Sequence, residues 1–302
     1  MARPILVASI VAVVTAGHAH ENDLSRIKTD AVKVARRADA TLTLNATEVT
    51  DGAYVRVHVV NDGYSATGDW LGIYTVDADP TATVPLKWSY CSPYIPGYNT
   101  SGTGDLTLQV YAVRAPLIVH LFQGGTSSPT LVASSSELSF ADYAAPTHPR
   151  VLPGVLPGDY RVLWTTNATG GDANPRLMWG TVPGEYPNSV PATTEVVEKS
   201  SLCGAPATTT GFMDLGVTAT AELTGLASAV PPGTRIYYVM TDDDGRMSAA
   251  QSFAVPPLPG ASYPFHFVAF GDLGRGSWDG GITWREYGQD SRSTSDALAE
   301  VR

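Results

Sequence analysis

Between residues 41 and 145, hydrophobic and polar side chains alternate in short runs that are separated by turn residues. In the clearest run, Val55, Val57 and Val59 alternate with Arg56 and His58. Such alternation places one set of side chains on a buried face and the other in solvent. Similar or shorter runs begin at Leu42, Asp69, Leu86, Leu106, Ile118 and Glu137. Their spacing predicts an antiparallel β-sandwich.

A second block of strands is predicted over residues 146–259. It follows Ala144–Pro149, whose two prolines indicate a stiff linker. Within Tyr160–Thr166 we expect Val162 and Trp164 to face inward, and further runs begin at Arg176, Ala219 and Arg235. We predict a second antiparallel sandwich with Trp164 in its core.

A continuous apolar run, Phe265–Phe270, leads into Gly271-Asp272-Leu273-Gly274 near the end of the sequence. A run of this kind, bounded by proline and glycine, predicts a buried strand. Ser293 is a candidate cap for a following helix, so we expect residues 263–302 to be the first strand, loop and helix of an α/β domain. Asp272 then lies at the strand's carboxyl end, where such sheets bind ligands and where a carboxylate suits a hard cation. The alternative is a plain turn in which Asp272 accepts bonds from local amides.

The first nineteen residues have the composition of a secretory signal peptide. Arg3 is followed by the apolar segment Ile5–Ala16 and by Gly17-His18-Ala19, which predicts cleavage after Ala19. We therefore expect a secreted, extracellular protein without a membrane anchor, since no other segment is long and apolar enough. Residues 20–40 are mixed and charged, and we interpret them as an N-terminal arm that is either loose or a short helix.

The charge of the 302-residue chain bears on its partners. Its formal net charge is −10, its pI is about 4.9, and it contains no basic run. We therefore expect that the protein does not bind nucleic acid.

Three sequons, beginning at Asn45, Asn99 and Asn167, predict N-glycosylation of a secreted chain. The two cysteines, Cys91 and Cys203, leave three alternatives open: they pair with each other, they are free thiols, or they pair with a cysteine beyond Arg302.

The strand histidines and one acidic run are both expected to have roles other than metal binding. His58 and His120 each stand alone in a strand, which favours a surface or hydrogen-bonded role over metal ligation. The acidic run Asp242–Gly245 has no EF-hand spacing, so we predict a solvated hairpin turn rather than a calcium site.

Several motifs resemble those of known families. Pro232-Gly233-Thr234 before Tyr237-Tyr238 is similar to a fibronectin type III signature. Asp69–Tyr74, Pro129–Phe140 and Ala144–Arg150 together resemble the N-terminal module of the long, plant-type purple acid phosphatases. Gly271–Gly274, with Asp279-Gly280-Gly281 and Ser291–Leu298, resembles the first metal-binding motif of the same family.

The resemblance implies metal-dependent hydrolysis of small phosphate monoesters by a metallophosphoesterase domain. It implies a binuclear centre of iron with zinc, manganese or iron, and it makes Asp272 one metal ligand. The other ligands of the family lie on later motifs, and no histidine, asparagine or second Gly-Asp pair follows Asp272. We therefore expect a domain truncated shortly after its first metal motif and a 302-residue chain that is inactive by itself.

His266 does not complete the site, because six strand residues place it ~20 Å from Asp272. The alternative function is a non-catalytic, extracellular binding module of two sandwiches. A fragment, a truncated gene model and a genuine non-catalytic product are all open at this point.

Overall fold

The computed structural model describes residues 27–260, except 63–64, 93, 168–173, 206, 210, 243 and 259. The prediction of a mainly β protein is confirmed, since the helices in this part of the chain are two one-turn α-helices and two short 3-10 helices, Thr29–Ala31 and Lys199–Ser201. The described residues form two compact units. The first runs to Tyr111 and includes Ala115–Ser139, and the second contains Ala112–Arg114 and the residues from Phe140 onward. The predicted signal peptide and residues 263–302, with His266 and Asp272, lie outside the described residues.

The first unit is built around a three-stranded sheet and a five-stranded sheet. The three-stranded sheet has the order β2-β4-β7, the five-stranded sheet has the order β1-β9-β8-β5-β6, and β3 pairs with β10. The elements are β1 (Lys33–Val34), β2 (Ala40–Leu44), β3 (Glu48–Val49), β4 (Tyr54–Asn61), β5 (Trp70–Thr75), β6 (Lys87–Tyr90), α1 (Tyr98–Ser101), β7 (Thr103–Gln109), β8 (Leu117–Gln123), β9 (Thr130–Ser134) and β10 (Ser139–Phe140).

The central strand of the three-stranded sheet follows the predicted alternation. Val55, Val57 and Val59 of β4 are fully buried, whereas Arg56 and His58 between them are exposed. The polar side chains therefore line the outer face of this sheet, and the valines form part of the core between the sheets.

The outer face of the five-stranded sheet is also covered. Trp70 of β5 is stacked on Phe122 with ring centroids 4.0 Å apart, and Trp88 meets Trp70 edge to face at 5.7 Å. Gly72 lies beneath these rings, since a Cβ there would come within 2.9 Å of Tyr74 and 3.0 Å of Trp70. The strand is thus buried on both faces, which alternation alone does not predict.

Part of the segment expected to be an arm belongs to the first unit. Thr29–Ala31 forms a short 3-10 helix, and Ile27 is buried in the aromatic cluster of Trp70, Trp88 and Phe122. Strand β1 pairs with β9 in parallel, so the first sandwich is not purely antiparallel.

The second unit is a seven-stranded arrangement with the order β11-β12-β15-β14-β13-β16-β17. Strand β14 pairs with β13 through Asn188–Pro191 and with β15 from Ala192 onward, and so joins two groups of strands. The elements are β11 (Thr147–Pro153), β12 (Tyr160–Thr166), β13 (Arg176–Gly180), β14 (Asn188–Val196), β15 (Val217–Leu223), α2 (Leu226–Ala229), β16 (Arg235–Met240) and β17 (Gln251–Ala254).

The core of the second unit combines large and small side chains. Trp164 lies opposite Ala219 in the β12–β15 register, and Val162 lies opposite Ala221. All four are buried, so the prediction that Trp164 is a core residue is confirmed. The alanines leave the room that the indole needs.

Candidate functional site

A polar groove crosses the outer face of the three-stranded sheet. Thr43 of β2, His58 of β4 and Asp105 of β7 lie side by side in register. The His58 imidazole Nδ1 is 2.8 Å from Asp105 Oδ1, and both side chains are about half exposed. The groove has a volume of about 200 Å³ and is lined by Thr43, Leu44, Asn45, Arg56, His58 and Asp105. It presents hydroxyl, amide, guanidinium, imidazole and carboxylate groups, which suits a polar ligand smaller than the usual pocket of ~300–1,000 Å³.

The three sequon asparagines, Asn45, Asn99 and Asn167, are all exposed. Asn45 is the first residue after β2 and lines the groove, whereas Asn99 lies in the one-turn helix α1 and Asn167 directly follows β12. Asn45 Oδ1 accepts a hydrogen bond from the Arg56 main-chain N–H at 2.7 Å. Only the sequon of Asn167 runs into residues that are not described.

A buried polar cluster in the first unit is a feature that sequence analysis missed. Asp69 is fully buried, and its Oδ2 accepts bonds from Asn61 Nδ2 at 3.0 Å, Tyr98 OH at 3.1 Å and the Ala66 main-chain N–H at 3.1 Å. Burial raises the pKa of the Asp69 carboxyl, although these donors oppose the shift. The cluster ties the end of β4 to the start of β5 and to helix α1. Because these bonds link residues of separate elements to one buried carboxylate, we assign the cluster a structural role.

The two strand histidines have different surroundings. His58 is the exposed partner of Asp105, whereas His120 is buried and its Nδ1 lies 2.8 Å from Ser134 Oγ. Burial, assisted by the charge of Arg36, lowers the pKa of His120 to about 4. His120 is therefore neutral in the folded protein at neutral pH, in keeping with its predicted hydrogen-bonded role.

The acidic hairpin is only partly as predicted. The turn is present, since Gly245 has a φ of 78° and its N–H donates to the Asp242 carbonyl. Asp242, however, is buried rather than solvated, and its carboxylate accepts bonds from the Arg246 main chain at 2.8 Å and from its Nη1 at 2.9 Å. The basic residue four positions on supplies the partner that a buried carboxylate needs, and a sequence pattern of acids alone does not show it.

The cysteines do not form a disulfide with each other. Cys91 is completely buried in the first unit, and Cys203 is an exposed thiol in the second. Burial raises the pKa of the Cys91 thiol, so this residue acts as a small apolar core side chain.

An open depression of about 560 Å³ lies in the second unit where β14 ends. Its walls are mainly apolar and include Val196, Val197 and Phe212, with Lys199 and Asp214 beside them. Val196 and Val197 are about half exposed. Nothing in these side chains specifies a ligand.

The described residues of the two units provide no metal centre. Within the described part of the chain, no three His, Cys, Asp or Glu side chains are grouped so that they could hold a metal ion. These residues therefore do not fit a binuclear site, and the predicted ligand Asp272 lies outside them. No helix among the described residues is long and apolar enough to span a membrane.

Comparison with known proteins identifies relatives. The family model described as the Fn3-like domain from purple acid phosphatase matches residues 38–142. The matched residues lie mainly in the first unit, whereas the fibronectin-like motif seen in the sequence lies in the second.

Two curated relatives come from Arabidopsis thaliana. "Probable inactive purple acid phosphatase 27" is 28% identical over 321 aligned residues, which cover 99% of this chain and 52% of the relative. "Probable inactive purple acid phosphatase 1" is 30% identical, with 76% of this chain and 40% of the relative covered. The chain thus spans about half the length, or less, of these relatives.

A solved structure, purple acid phosphatase PPD1 from yellow lupin (Lupinus luteus) seeds, matches with a TM-score of 0.70 and 25% identity. The match covers 87% of this chain and 49% of the lupin chain. These findings confirm the resemblance seen in the sequence motifs. The chain is therefore a relative of the purple acid phosphatases, and its residues 38–142 match the Fn3-like domain of that family.

Proposed function

We propose that this chain is part of a secreted purple acid phosphatase-like protein whose family reaction is metal-dependent hydrolysis of small phosphate monoesters. The observation that carries the proposal is the alignment with the Arabidopsis phosphatase 27 relative, which covers 99% of the chain and therefore includes the Gly271–Gly274 motif. In this proposal the two β units are non-catalytic, and Asp272 is a ligand of a binuclear centre of iron with zinc, manganese or iron.

We expect that the 302-residue chain by itself does not hydrolyse phosphate esters. A two-metal site needs several ligands around ions ~3.5–4 Å apart. From Gly271 onward the sequence offers one motif of the family, with Asp272 as its ligand. The Arabidopsis relatives, of which this chain covers 52% and 40%, are themselves named "probable inactive".

A metal-supplemented assay with an aryl phosphate tests the catalytic part of this proposal. The 302-residue chain should hydrolyse the ester no faster than its Asp272→Ala variant. Joined to the remaining catalytic region of an active family member, the chain should gain activity that Asp272→Ala abolishes and that the control Asp290→Ala retains. Robust turnover by the chain alone, or full activity of Asp272→Ala in the joined protein, would contradict the proposal.

Secretion is tested separately by N-terminal sequencing after expression in a eukaryotic host. The mature chain should begin at His20 and appear in the medium. A cytosolic product that retains Met1 or Ala2 would overturn the secretory assignment.

A second candidate is a non-catalytic, extracellular binding module. The polar groove of Thr43, His58 and Asp105 favours it, because these groups present donors and acceptors in one solvent-facing row. Glycan-array binding by the chain prepared without N-linked sugars would support this candidate if substitution of His58 and Asp105 removes the signal.

A further inference from the structure

Asn45 is held in one orientation at the edge of the polar groove. Its Oδ1 accepts from the Arg56 main-chain N–H at 2.7 Å, and its own main-chain N–H donates to the Arg56 carbonyl at 3.1 Å. The side-chain carbonyl thus bonds to the backbone of β4. Among the described residues, no hydrogen bond uses Asn45 Nδ2, and the residue is exposed.

The rest of the sequon is also compatible with a modified Asn45. Thr47 is exposed, and its main-chain carbonyl accepts a hydrogen bond from the Ser139 N–H at 2.8 Å. The backbone around the sequon is therefore fixed by pairing with neighbouring segments. A group attached to Nδ2 would therefore leave these hydrogen bonds intact.

We propose that Asn45 carries an N-linked glycan and that its first sugar residue lies in the groove formed by Thr43, Arg56, His58 and Asp105. In the modification, Nδ2 loses a proton and bonds to C1 of the oligosaccharide. The bond from C1 to a lipid-linked pyrophosphate donor breaks, and the lipid pyrophosphate leaves. The reaction takes place in the secretory pathway, so the inference rests on the proposed secretion.

The groove provides the chemistry that a sugar ring requires. The His58–Asp105 pair and the Thr43 hydroxyl offer donors and acceptors to the hydroxyl groups of the sugar, and the Arg56 guanidinium offers only donors. The lining residues belong to strands whose register is fixed by backbone pairing, so the groove is formed before the sugar occupies it. Asn99 differs, because it belongs to a one-turn helix rather than to this sheet.

Occupancy is tested on the whole chain secreted from a eukaryotic host. Enzymatic removal of N-glycans in heavy-oxygen water converts each occupied asparagine to a labelled aspartate, which peptide mass spectrometry locates. Asn45 should be labelled in the wild type and in Thr47→Ser, which keeps the sequon, and it should be unlabelled in Thr47→Ala. A secreted chain without label at Asn45 would overturn this inference and leave secretion standing. A chain that never enters the secretory pathway would overturn both.

Seating in the groove is tested by the rate at which an endoglycosidase releases the glycans of the native protein. If Asn99 is occupied, the glycan at Asn45 should be released at least several-fold more slowly than the glycan at Asn99 in the same molecule. If Asn99 is not occupied, the glycan at Asn45 should be released more slowly from the folded chain than from the unfolded chain. The double variant His58→Ala/Asp105→Ala should raise the rate at Asn45 several-fold. Arg235→Ala, on a strand of the second unit, is the matched control and should change nothing. Equal rates in the wild type and the double variant would show that the glycan does not occupy the groove.

Discussion

Arg114 Nε donates a hydrogen bond of 2.6 Å to the main-chain carbonyl of Leu215. The same guanidinium also donates to the carbonyls of Tyr143 and Ala145 and to the Thr147 hydroxyl. Arg114 has a φ of 58°, a left-handed conformation that is unfavourable for a residue with a side chain. One side chain thus connects three separate segments of the second unit, which explains why Ala112–Arg114 belong to that unit.

Removing this connection should destabilise the second unit. Arg114→Ala leaves several main-chain carbonyls without a donor, and hydrogen bonds to charged groups contribute roughly 1.5–3 kcal/mol, so we expect a loss of about 2–3 kcal/mol. Arg114→Lys should recover only part of it, because an ammonium lacks the planar fork. Urea unfolding measures the loss, with the exposed Arg150→Ala as control. Wild-type stability of Arg114→Lys would argue against the role of the fork.

The buried Asp69 should make stability depend on pH. Because burial raises its pKa in the folded protein, its contribution is complete below the unfolded value of ~3.9 and is lost as the pH rises through the folded pKa. Asp69→Asn cannot ionise and can accept the same three bonds. Its stability relative to the wild type should therefore increase between pH 4 and pH 7 in urea unfolding.

Two controls accompany the Asp69 experiment. Asp69→Ala leaves three donors without their acceptor and should cost about 2–4 kcal/mol at either pH. Gly204→Ala, which changes no ionisable group, should show no relative change with pH. A difference between Asp69→Asn and the wild type that does not vary with pH would contradict the assignment.

His120 should have the opposite pH dependence. Its pKa is lowered to about 4 in the folded protein, so its contribution is complete above the unfolded value of ~6.5 and is lost as the pH falls towards 4. The loss over this interval is up to about 3 kcal/mol, since each pKa unit corresponds to ~1.4 kcal/mol. His120→Asn should flatten the pH profile, and Gly204→Ala, which changes no ionisable group, should leave it unchanged. An unchanged profile in His120→Asn would show that other groups cause the acid sensitivity.

Gly72 should tolerate no side chain. In Gly72→Ala the new methyl group would lie 2.9 Å from Tyr74 and 3.0 Å from Trp70, which are packed rings that cannot both move away. Overpacking of this kind costs about 1–3 kcal/mol. Thermal denaturation should show a lower midpoint than the wild type. Gly204→Ala, which meets no atom within 4 Å, should be near neutral, and an equal effect of the two substitutions would refute the packing argument.

The acidic turn offers two carboxylates in different surroundings. Asp242 is buried and bonded to Arg246, whereas the side chain of Asp244 is 70% exposed and bonds to the same guanidinium. Asp242→Ala should cost about 1–3 kcal/mol because the Arg246 main-chain N–H loses its acceptor, and Asp244→Ala should cost less than ~1 kcal/mol. Calcium and chelators should leave the unfolding curve unchanged. A rise in stability with calcium would favour the metal site that we reject.

The sequence by itself determined the class of the fold and the family. Alternation in β4 and β12 predicts which side chains are buried, because a strand with one covered face has a period of two. The resemblance to purple acid phosphatases rests on local motifs such as Asp69–Tyr74, which need no coordinates. The sequons and Asp272 were likewise visible as short patterns.

Only the tertiary structure decided which residues from different parts of the sequence lie next to one another. The Thr43–His58–Asp105 row depends on the register of three strands, and the partners of Arg114 lie up to 101 positions away in the chain. The burial of Asp69 and Asp242 was hidden for the same reason, since an acidic residue enters a core only where distant or turn-related donors meet it. Local sequence fixes the period of an element, whereas burial and pairing depend on what the rest of the chain packs against it.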